Sequence, residues 1–397
     1  MNKALIVILF AVALDAVGIG LIFPILPELL RELTTASDID ILYGVIISIY
    51  ALMQFIFAPI LGSLSDRYGR RLVLMLSLLG AAIDYVVMAF TPYLWVLIIT
   101  RMIAGLTSAN LSVATAYITD LSTEEERAQR FGYLHAMFGI GFIIGPALGG
   151  LLGEWWIRAP FLAAAALNFL NFSLALFILP ESRPGKDTKF EWAVLNPITP
   201  LLWAVKVKPL VPYLIIFAAL SLIGQVYGSA WVLYTGEQFE WSPLMVGLSL
   251  TFFGILHALA QAFLPGPVSR RFGDINAALI GFASEFIALF IFAFVTNGWF
   301  VFILMPLFAL GGVGMPALQS LATKTVDSEH QGRLQGVLTS LGSLMAIFGP
   351  LLFTGIYAWS KGWFAGLLWM VAALMYISVI GMLFSRRPYH DEKLTKQ

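Results

Sequence analysis

The sequence contains no cysteine and only four histidines, and only 12% of its residues are charged. The absence of cysteine excludes disulfide bonds, thiolate metal sites and cysteine nucleophiles. The scarcity of charge excludes an ordinary soluble protein, in which about 25% of residues are charged. The 23 basic and 23 acidic residues cancel, so no bulk attraction to nucleic acid is expected. Hydrophobic residues make up 59% of the chain, which indicates an integral membrane protein.

The apolar residues are grouped into runs long enough to cross a bilayer, which takes about 20 residues as a helix. The predicted spans are 4–29, 42–64, 72–91, 94–118, 130–153, 158–180, 209–233, 243–266, 276–296, 299–322, 332–358 and 362–385. They predict an all-α integral membrane protein with twelve transmembrane helices. Proline and glycine inside several spans predict kinks rather than helix ends. The first run is too long for a signal peptide and lacks an A-x-A pattern, so we expect a membrane span there.

The basic residues predict the orientation of the chain. Arg101 lies within a span, and Arg31, Arg158 and Lys361 fall in loops on one side. The other Lys and Arg residues all fall on the opposite side, which the positive-inside rule assigns to the cytoplasm. Both termini are therefore predicted to be cytoplasmic.

The two halves of the chain resemble each other weakly. The stretch "GSLSDRYGRR" begins at Gly62 and "GPVSRRFGDI" begins at Gly266, an offset of 204 residues, which also separates Gly145-Pro146 from Gly349-Pro350. A shared offset indicates an internal duplication. We predict two pseudo-symmetric six-helix bundles, at 1–180 and 209–397, the second with a short cytoplasmic tail, joined by a cytoplasmic linker at 181–208. Such a duplication is typical of transporters.

Five ionisable side chains fall inside predicted spans, and we interpret them as proton-coupling candidates: Asp15, Asp84, Arg101, His257 and Glu285. An Asp, Lys or Arg at the centre of a lipid-facing helix costs about 2.5–3.5 kcal/mol. These groups must therefore face a polar cavity, pair with one another or be neutral.

Each candidate also has a structural interpretation. Asp15 can be a carboxylate bonded to a neighbouring helix, and His257 can be a hydrogen-bonded core residue. Asp84 and Arg101 lie at matching depth on antiparallel helices, so a buried ion pair is expected between them. Glu285 has no basic neighbour in its own helix, and burial favours the neutral form of an acid, which suits proton uptake and release.

Further polar side chains lie near mid-depth. Tyr50 and Gln54 share one face of the second span, and His257 and Gln261 share one face of the eighth. We interpret these groups as the lining of a hydrated central cavity edged by aromatics such as Phe253, Trp231 and Tyr227. The substrate-binding candidates are Tyr50, Gln54, Asn110, Gln225 and Gln261.

The stretch "GSLSDRYGRR" is the most specific motif in the chain. We expect a tight bend at a glycine, an N-terminal helix cap by Asp66, and an ion pair between Arg70 and Asp120. Such a charge cluster can hold the cytoplasmic helix ends together in one conformation and release them in another. The alternative interpretation is a positive loop that only orients the protein.

This motif resembles the signature of the major facilitator superfamily, at Gly62, Asp66, Arg67, Gly69, Arg70 and Arg71. The fifth span, "GIGFIIGPALGG", resembles the motif of its drug/proton antiporters, at Gly141, Gly145 and Pro146. The stretches "LDAVGIGLIFPILP", "ALMQFIFAP", "GILHALAQAF" and "GGVGMPALQS" resemble the tetracycline/proton antiporters. The likeness covers nearly the whole chain and is weakest in 181–208.

The resemblance implies the major facilitator fold and proton-coupled export of a drug, most simply tetracycline as its divalent-metal chelate, from the bacterial inner membrane by alternating access. It implies embedded carboxylates at Asp15, Asp84 and Glu285, proton transfer through Arg101 and His257, substrate contacts at Gln54, Gln225 and Gln261, and a gate of Asp66, Arg70 and Asp120. One departure is Glu285, where the family usually has aspartate, and it bears on substrate identity and coupling.

Other functions fit less well. Proton-coupled efflux of another drug or a metabolite is the main alternative. The sequence contains no H-E-x-x-H or G-x-S-x-G pattern, which would favour an enzyme. It also contains no G-x-x-x-x-G-K-[ST] loop, which would favour an ATP-driven pump. A channel fits the duplicated halves and buried acids less well than alternating access does. We expect no resident cofactor or metal site, with Mg²⁺ or another divalent cation only as part of the cargo, and a functional monomer whose partners are drug, protons and lipid.

Overall fold

The computed structural model describes residues 3–34, 39–107, 110–182 and 198–385. Within those ranges the chain forms seventeen α-helices and a 3-10 turn at Ser328–His330. The helices are α1 (Lys3–Ile22), α2 (Leu26–Leu33), α3 (Ile39–Tyr68), α4 (Arg70–Phe90), α5 (Leu94–Thr107), α6 (Asn110–Leu121), α7 (Glu124–Trp155), α8 (Ala159–Ile178), α9 (Ile198–Lys206), α10 (Val211–Gln238), α11 (Pro243–Phe263), α12 (Pro265–Phe272), α13 (Asp274–Phe292), α14 (Trp299–Gly311), α15 (Gly314–Thr323), α16 (Gln331–Phe364) and α17 (Leu367–Phe384).

Twelve segments of the described chain are long and apolar enough to cross a bilayer, which confirms the predicted number of spans. The fourth span covers α5 and α6, and the tenth covers α14 and α15. Pro59, Pro146, Pro306 and Pro350 all lie inside helices, as the prediction of kinks rather than ends required. Large apolar side chains such as Phe177 are exposed on the outside, where lipid rather than water surrounds a membrane protein.

The first span is shorter than predicted. The sequence predicted a helix over 4–29, but α1 ends at Ile22 and α2 begins at Leu26. Pro24 explains the break, because its ring removes a backbone donor and disfavours helical geometry at the preceding residue. The backbone N–H of Phe23 donates to the carbonyl of Gly20 (3.3 Å), and that of Ile25 donates to the carbonyl of Ile22 (3.1 Å). These two hydrogen bonds form the turn between the helices.

The tenth span is interrupted in its middle. The N–H of Gly312 donates to Ala309 (3.0 Å) and that of Val313 donates to Leu310 (3.2 Å), so a tighter turn separates α14 from α15. α14 ends at Gly311 and α15 begins at Gly314, the first and last residues of the glycine-rich stretch "GGVG". This turn places two glycines against ionisable side chains.

The motif "GSLSDRYGRR" lies almost wholly on helices. The expected bend is at Gly69 alone, which has φ of +99°, and it separates the last residue of α3 from the first of α4. Gly62 lies inside α3, and a Cβ there would meet nothing within 4 Å. The single-residue turn sets Asp66, on the last turn of α3, close to Arg70, the first residue of α4.

Contacts divide the chain into two units. One comprises residues 1–195 and 240–254, and the other comprises 196–239 and 255–397, so the first half of α11 groups with the N-terminal helices. In the first unit α1 packs against α7 and α4 against α8. In the second unit the same order recurs, α10 against α16 and α13 against α17. The predicted linker at 181–208 lies mostly outside the described residues, but its end forms α9.

Each unit has its own buried core. In the first unit the core includes Ile8, Tyr117 and Ile118, each fully buried. In the second unit Trp369 and Phe292 lie 4.8 Å apart between ring centres, at the middle of an aromatic cluster. These cores fix the helices that carry the polar side chains.

Candidate functional site

A cavity of about 360 Å³ lies inside the first unit. Five predicted site residues line it: Asp15, Tyr50, Gln54, Asp84 and Arg101. They come from α1, α3, α4 and α5, so the packing of four helices brings together side chains that are far apart in sequence. Three of the five are ionisable, so the first unit holds a charged and hydrogen-bonding pocket within the size range of ligand sites.

The ion pair expected between Asp84 and Arg101 is present in this cavity. Arg101 Nη2 bonds to Asp84 Oδ2, and the two residues are 7% and 5% exposed. The guanidinium also lies 5.8 Å from the centre of the Tyr85 ring. Asp84 Oδ1 and Arg101 Nε have no hydrogen-bond partner among the described residues. The pair therefore neutralises its charges, while one acceptor atom and one donor atom stay buried without a partner among the described residues.

Glu285 lies in the second unit, on α13. It is 8% exposed, and its Oε2 accepts a hydrogen bond of 2.6 Å from the hydroxyl of Tyr227 on α10. Gly311, at the end of α14, lies directly against the Glu285 side chain. The acid is therefore buried and held by a neutral donor, and the described contacts include no cation bonded to it.

His257 lies against the same turn. Its ring approaches the next glycine, since a Cβ on Gly312 would lie 2.9 Å from His257 Cε1. His257 Nε2 is 2.9 Å from Gln261 Nε2, as their shared helical face predicted. Each glycine of the Gly311-Gly312 turn thus has one ionisable side chain packed against it.

Gln225, another binding candidate, is not among the described side chains that line the cavity of the first unit. Gln225 packs against Gly349 of α16, where a Cβ would overlap its side chain. The side chain of Asn110 lies outside the described residues. Trp231 was expected at the edge of a cavity, but it is 4% exposed and stacks on Phe292 at 5.2 Å within the aromatic core.

At one end of the first unit, Arg70 is the centre of a polar cluster that we name the first latch: Ser65, Asp66, Arg70 and Asp120. Arg70 bonds to Asp66, to Asp120 (Nε to Oδ2, 3.2 Å) and to Ser65 (Nη1 to Oγ, 2.6 Å). Arg70 is 7% exposed, so one buried cation joins α3, α4 and α6. The expected ion pair between Arg70 and Asp120 is present.

The helix cap expected from Asp66 is supplied by Glu181 instead. The Glu181 carboxylate accepts hydrogen bonds from the backbone N–H of Arg70 (2.8 Å) and of Arg71 (3.2 Å), at the positive N-terminus of α4. Gly69 leaves room for this acid, because a Cβ there would overlap the Glu181 carboxylate. Glu181 was missed because it follows α8, more than one hundred residues from the motif.

The second unit carries residues of inverted charge at the same 204-residue offset, which we name the second latch: Ser269, Arg270, Asp274 and Lys324. Asp274 Oδ2 accepts hydrogen bonds from Lys324 Nζ (2.6 Å) and from the Ser320 hydroxyl (2.7 Å). Gly273, like Gly69, has a positive φ, of +78°. The sequence analysis missed these residues, although the repeat offset pointed to them.

The inverted charges make a direct test possible. Asp274→Lys places a cation beside Lys324, and we expect the free energy of unfolding to fall by about 1 kcal/mol. Adding Lys324→Asp restores opposite charges and should return at least half of that loss. An unfolding titration of the purified variants measures both. A double variant no more stable than Asp274→Lys would show that this ion pair does not contribute to stability.

The glycine-proline motif of α7 packs against α1. A Cβ on Gly145 would lie 2.8 Å from Gly20 Cα and 2.8 Å from Val17 O, and one on Gly141 would overlap the backbone of Ala13. Only glycine allows the two backbones to approach this closely. The motif therefore sets the distance between α7 and α1, the helix that carries Asp15.

The comparisons with known proteins agree with this architecture. The sequence model of the Major Facilitator Superfamily as a family matches residues 8–235 and 213–397 of the chain. The chain is 49% identical to the tetracycline resistance protein, class C, of Escherichia coli, over 95% of each chain. The chain belongs to the Major Facilitator Superfamily and, within it, to the tetracycline resistance proteins. It is also 46% identical to the class G protein of Vibrio anguillarum, over 98% of each chain.

The fold of this Major Facilitator Superfamily member matches solved transporters of low sequence identity. The crystal structure of the nucleoside transporter NupG superposes with a TM-score of 0.78 at 15% identity, over 97% of this chain and 99% of that one. That likeness shows the fold, with twelve spans in two pseudo-symmetric bundles, and carries no information on cargo. The chain is a multi-pass membrane transporter.

Proposed function

We propose that this protein is a proton-coupled antiporter that exports tetracycline as its divalent-metal chelate by alternating access. The observation that carries the proposal is the 49% identity to a tetracycline resistance protein over 95% of each chain. The buried acids support the mechanism, because an acid enclosed in a membrane protein is retained at a cost and marks an ion or proton path. Export from the cytoplasm across the bacterial inner membrane, with both termini cytoplasmic, fits the distribution of basic residues.

In the proposed cycle Glu285 exchanges a proton for the cargo. Its neighbour Tyr227 is neutral, so the charge of the site changes when Glu285 gains or loses a proton. Protonation from the outside removes a negative charge and lowers the affinity for a cationic chelate, and deprotonation towards the cytoplasm restores it. Each proton that crosses supplies about 2.3 kcal/mol per 100 mV.

The cavity of the first unit is proposed to bind the polar edge of the drug. Tyr50 and Gln54 offer neutral hydrogen bonds, and Asp15 offers a carboxylate that attracts a chelated cation. The Asp84–Arg101 pair lines the same cavity, where its two charges neutralise each other. The divalent cation enters as part of the cargo, and no resident cofactor is proposed.

The first latch is proposed to hold the cytoplasmic ends of α3, α4 and α6 in one conformation. Asp66→Asn removes the charge of a half-exposed carboxylate that bonds to Arg70, and leaves Asp120 on the same cation. We expect slower transport, by about fivefold, with less than twofold change in equilibrium drug affinity. Binding to purified protein and uptake into vesicles measure the two quantities. A collapse of affinity would contradict the assignment of Asp66 to gating.

Transport into proteoliposomes with an imposed pH gradient tests the proposed function. We expect tetracycline uptake only with the gradient, and only when Mg²⁺ or a similar divalent cation is present. A panel with a quinolone and a macrolide tests the alternative cargo. Gradient-driven transport of another drug without tetracycline would assign the cargo elsewhere, and tetracycline flux insensitive to the gradient would exclude antiport.

A further inference from the structure

We infer that Tyr227 and Gly311 are positioning residues for Glu285: the tyrosine fixes one carboxylate oxygen, and the glycine provides the space in which the longer acid fits. The inference deepens the proposed function and rests on it, since it concerns the proton-carrying acid. It uses contacts that lie wholly within the second unit. Neither residue was assigned this role by the sequence.

Tyr227 is a rigid donor. Its hydroxyl is 2.6 Å from Glu285 Oε2, and its ring meets Phe308 edge-on at 5.8 Å and Trp369 at 6.1 Å. Packing on two aromatic side chains leaves the ring little freedom, so the hydroxyl is held within hydrogen-bond distance of the Glu285 carboxylate. A hydrogen bond to a charged group inside a protein is about twice as strong as one between neutral groups.

Gly311 shapes the space around the acid. A Cβ at this position would lie 2.5 Å from Glu285 Cδ, and it would overlap Cγ and Oε1 more closely still. Its neighbour Gly312 excludes a side chain for the same reason, with His257 Nδ1 at 3.1 Å. The turn between α14 and α15 therefore leaves space for two ionisable groups, Glu285 against Gly311 and His257 against Gly312.

The length of Glu285 follows from this arrangement. The oxygen that reaches Tyr227 is at the end of a side chain with two methylenes, and the side chain passes over Gly311 to get there. Aspartate at this position lacks one methylene and would leave the Tyr227 hydroxyl without this acceptor. The positions of Tyr227 and Gly311 therefore match the length of a glutamate, and not of an aspartate, at position 285.

Tyr227→Phe tests the donor, because it removes one hydroxyl and keeps the ring. The readout is the ratio of proton-driven tetracycline uptake to tetracycline/tetracycline exchange in the same proteoliposomes. We expect the ratio to fall about tenfold, the effect of losing a hydrogen bond to a charged group. In the Glu285→Asp background the same substitution should change the ratio by less than about twofold.

The matched control is Tyr234→Phe. Tyr234 lies two turns along α10 in the same aromatic core, 5.4 Å from Trp369, and the described contacts give its hydroxyl no hydrogen bond. The control should leave the ratio within about twofold. If Tyr227→Phe slows uptake and exchange equally, the tyrosine is only a packing residue and the inference fails. If wild-type protein shows no proton-driven uptake at all, the proposed function itself fails.

Gly311→Ala tests the space. We expect a thermal unfolding midpoint several degrees lower for the purified protein, and recovery of at least half of that loss in the Glu285→Ala background, where the overlapping atoms are gone. The unfolding midpoint can be measured without any transport activity, so its outcome does not depend on whether the proposed function is correct. Equal losses in both backgrounds would overturn the role of Gly311, because the strain would then come from elsewhere in the turn.

Discussion

Glu285→Gln is expected to abolish proton-driven drug uptake while leaving the protein folded. The substitution keeps the size of the side chain and its ability to accept a hydrogen bond from Tyr227, but it removes the ionisable proton. A drop of at least about a hundredfold is expected if this acid carries the coupled proton, since loss of an essential acid typically costs about 10²–10⁴-fold. Uptake into proteoliposomes under an imposed pH gradient measures the effect.

A matched control makes the result specific. Glu125→Gln is the same chemical change on an exposed side chain near the start of α7, and it should leave uptake within about twofold. Thermal unfolding of both purified variants checks that they are folded. Wild-type uptake by the Glu285→Gln variant would rule out an essential role for this acid.

Arg101→Ala is expected to destabilise the protein by about 3 kcal/mol or more. Removing the guanidinium leaves Asp84 as a carboxylate that is 5% exposed and has lost the cation bonded to it. Breaking a buried ion pair from one side costs about 3–5 kcal/mol, because a charge stays buried without compensation. An unfolding titration of the purified protein measures the loss of stability.

The partner substitution supplies the control. Arg101→Ala combined with Asp84→Asn removes both charges, and we expect at least half of the lost stability to return. Arg31→Ala breaks an ion pair with Glu28 that is 33% and 42% exposed, and it should cost less than about 1 kcal/mol. If Arg101→Ala costs no more than Arg31→Ala, then water compensates the pair and the cavity is wetter than its burial indicates.

The sequence was sufficient for the spans and for much of the first cavity. Hydropathy located twelve spans because each carries a long apolar run, and matching depth paired Asp84 with Arg101 because antiparallel neighbours share a short turn. Tyr50 and Gln54 were found from helical spacing, which places them on one face. All of these are local patterns, so the chain records them directly.

What the sequence did not reveal depends on contacts between distant segments. Glu181 caps α4 because α8 ends beside it, and no spacing rule connects the two. The bend at Gly69 rather than Gly62 depends on backbone torsion, which the motif alone does not indicate. The Tyr227–Glu285 hydrogen bond joins α10 to α13. The need for glycine at position 311 arises only from the packing of α14 against the Glu285 side chain.

The second latch was only partly predictable from the sequence. Its residues stand at the repeat offset and were visible in the sequence, but every charge is inverted, so a search for the same residue types passes over them. Comparing positions rather than identities would have found Asp274 and Lys324. An internal repeat therefore predicts geometry more reliably than it predicts chemistry.

Proton release on drug binding tests the central claim most directly. Mg²⁺–tetracycline is added to the purified protein in weakly buffered solution at a pH where the coupling acid is protonated, and a pH indicator follows the solution. Binding of the cationic complex should expel protons, by a smaller amount in the Glu285→Gln variant. Tight binding with no proton release from the wild-type protein at any pH would contradict exchange of drug for protons at these acids.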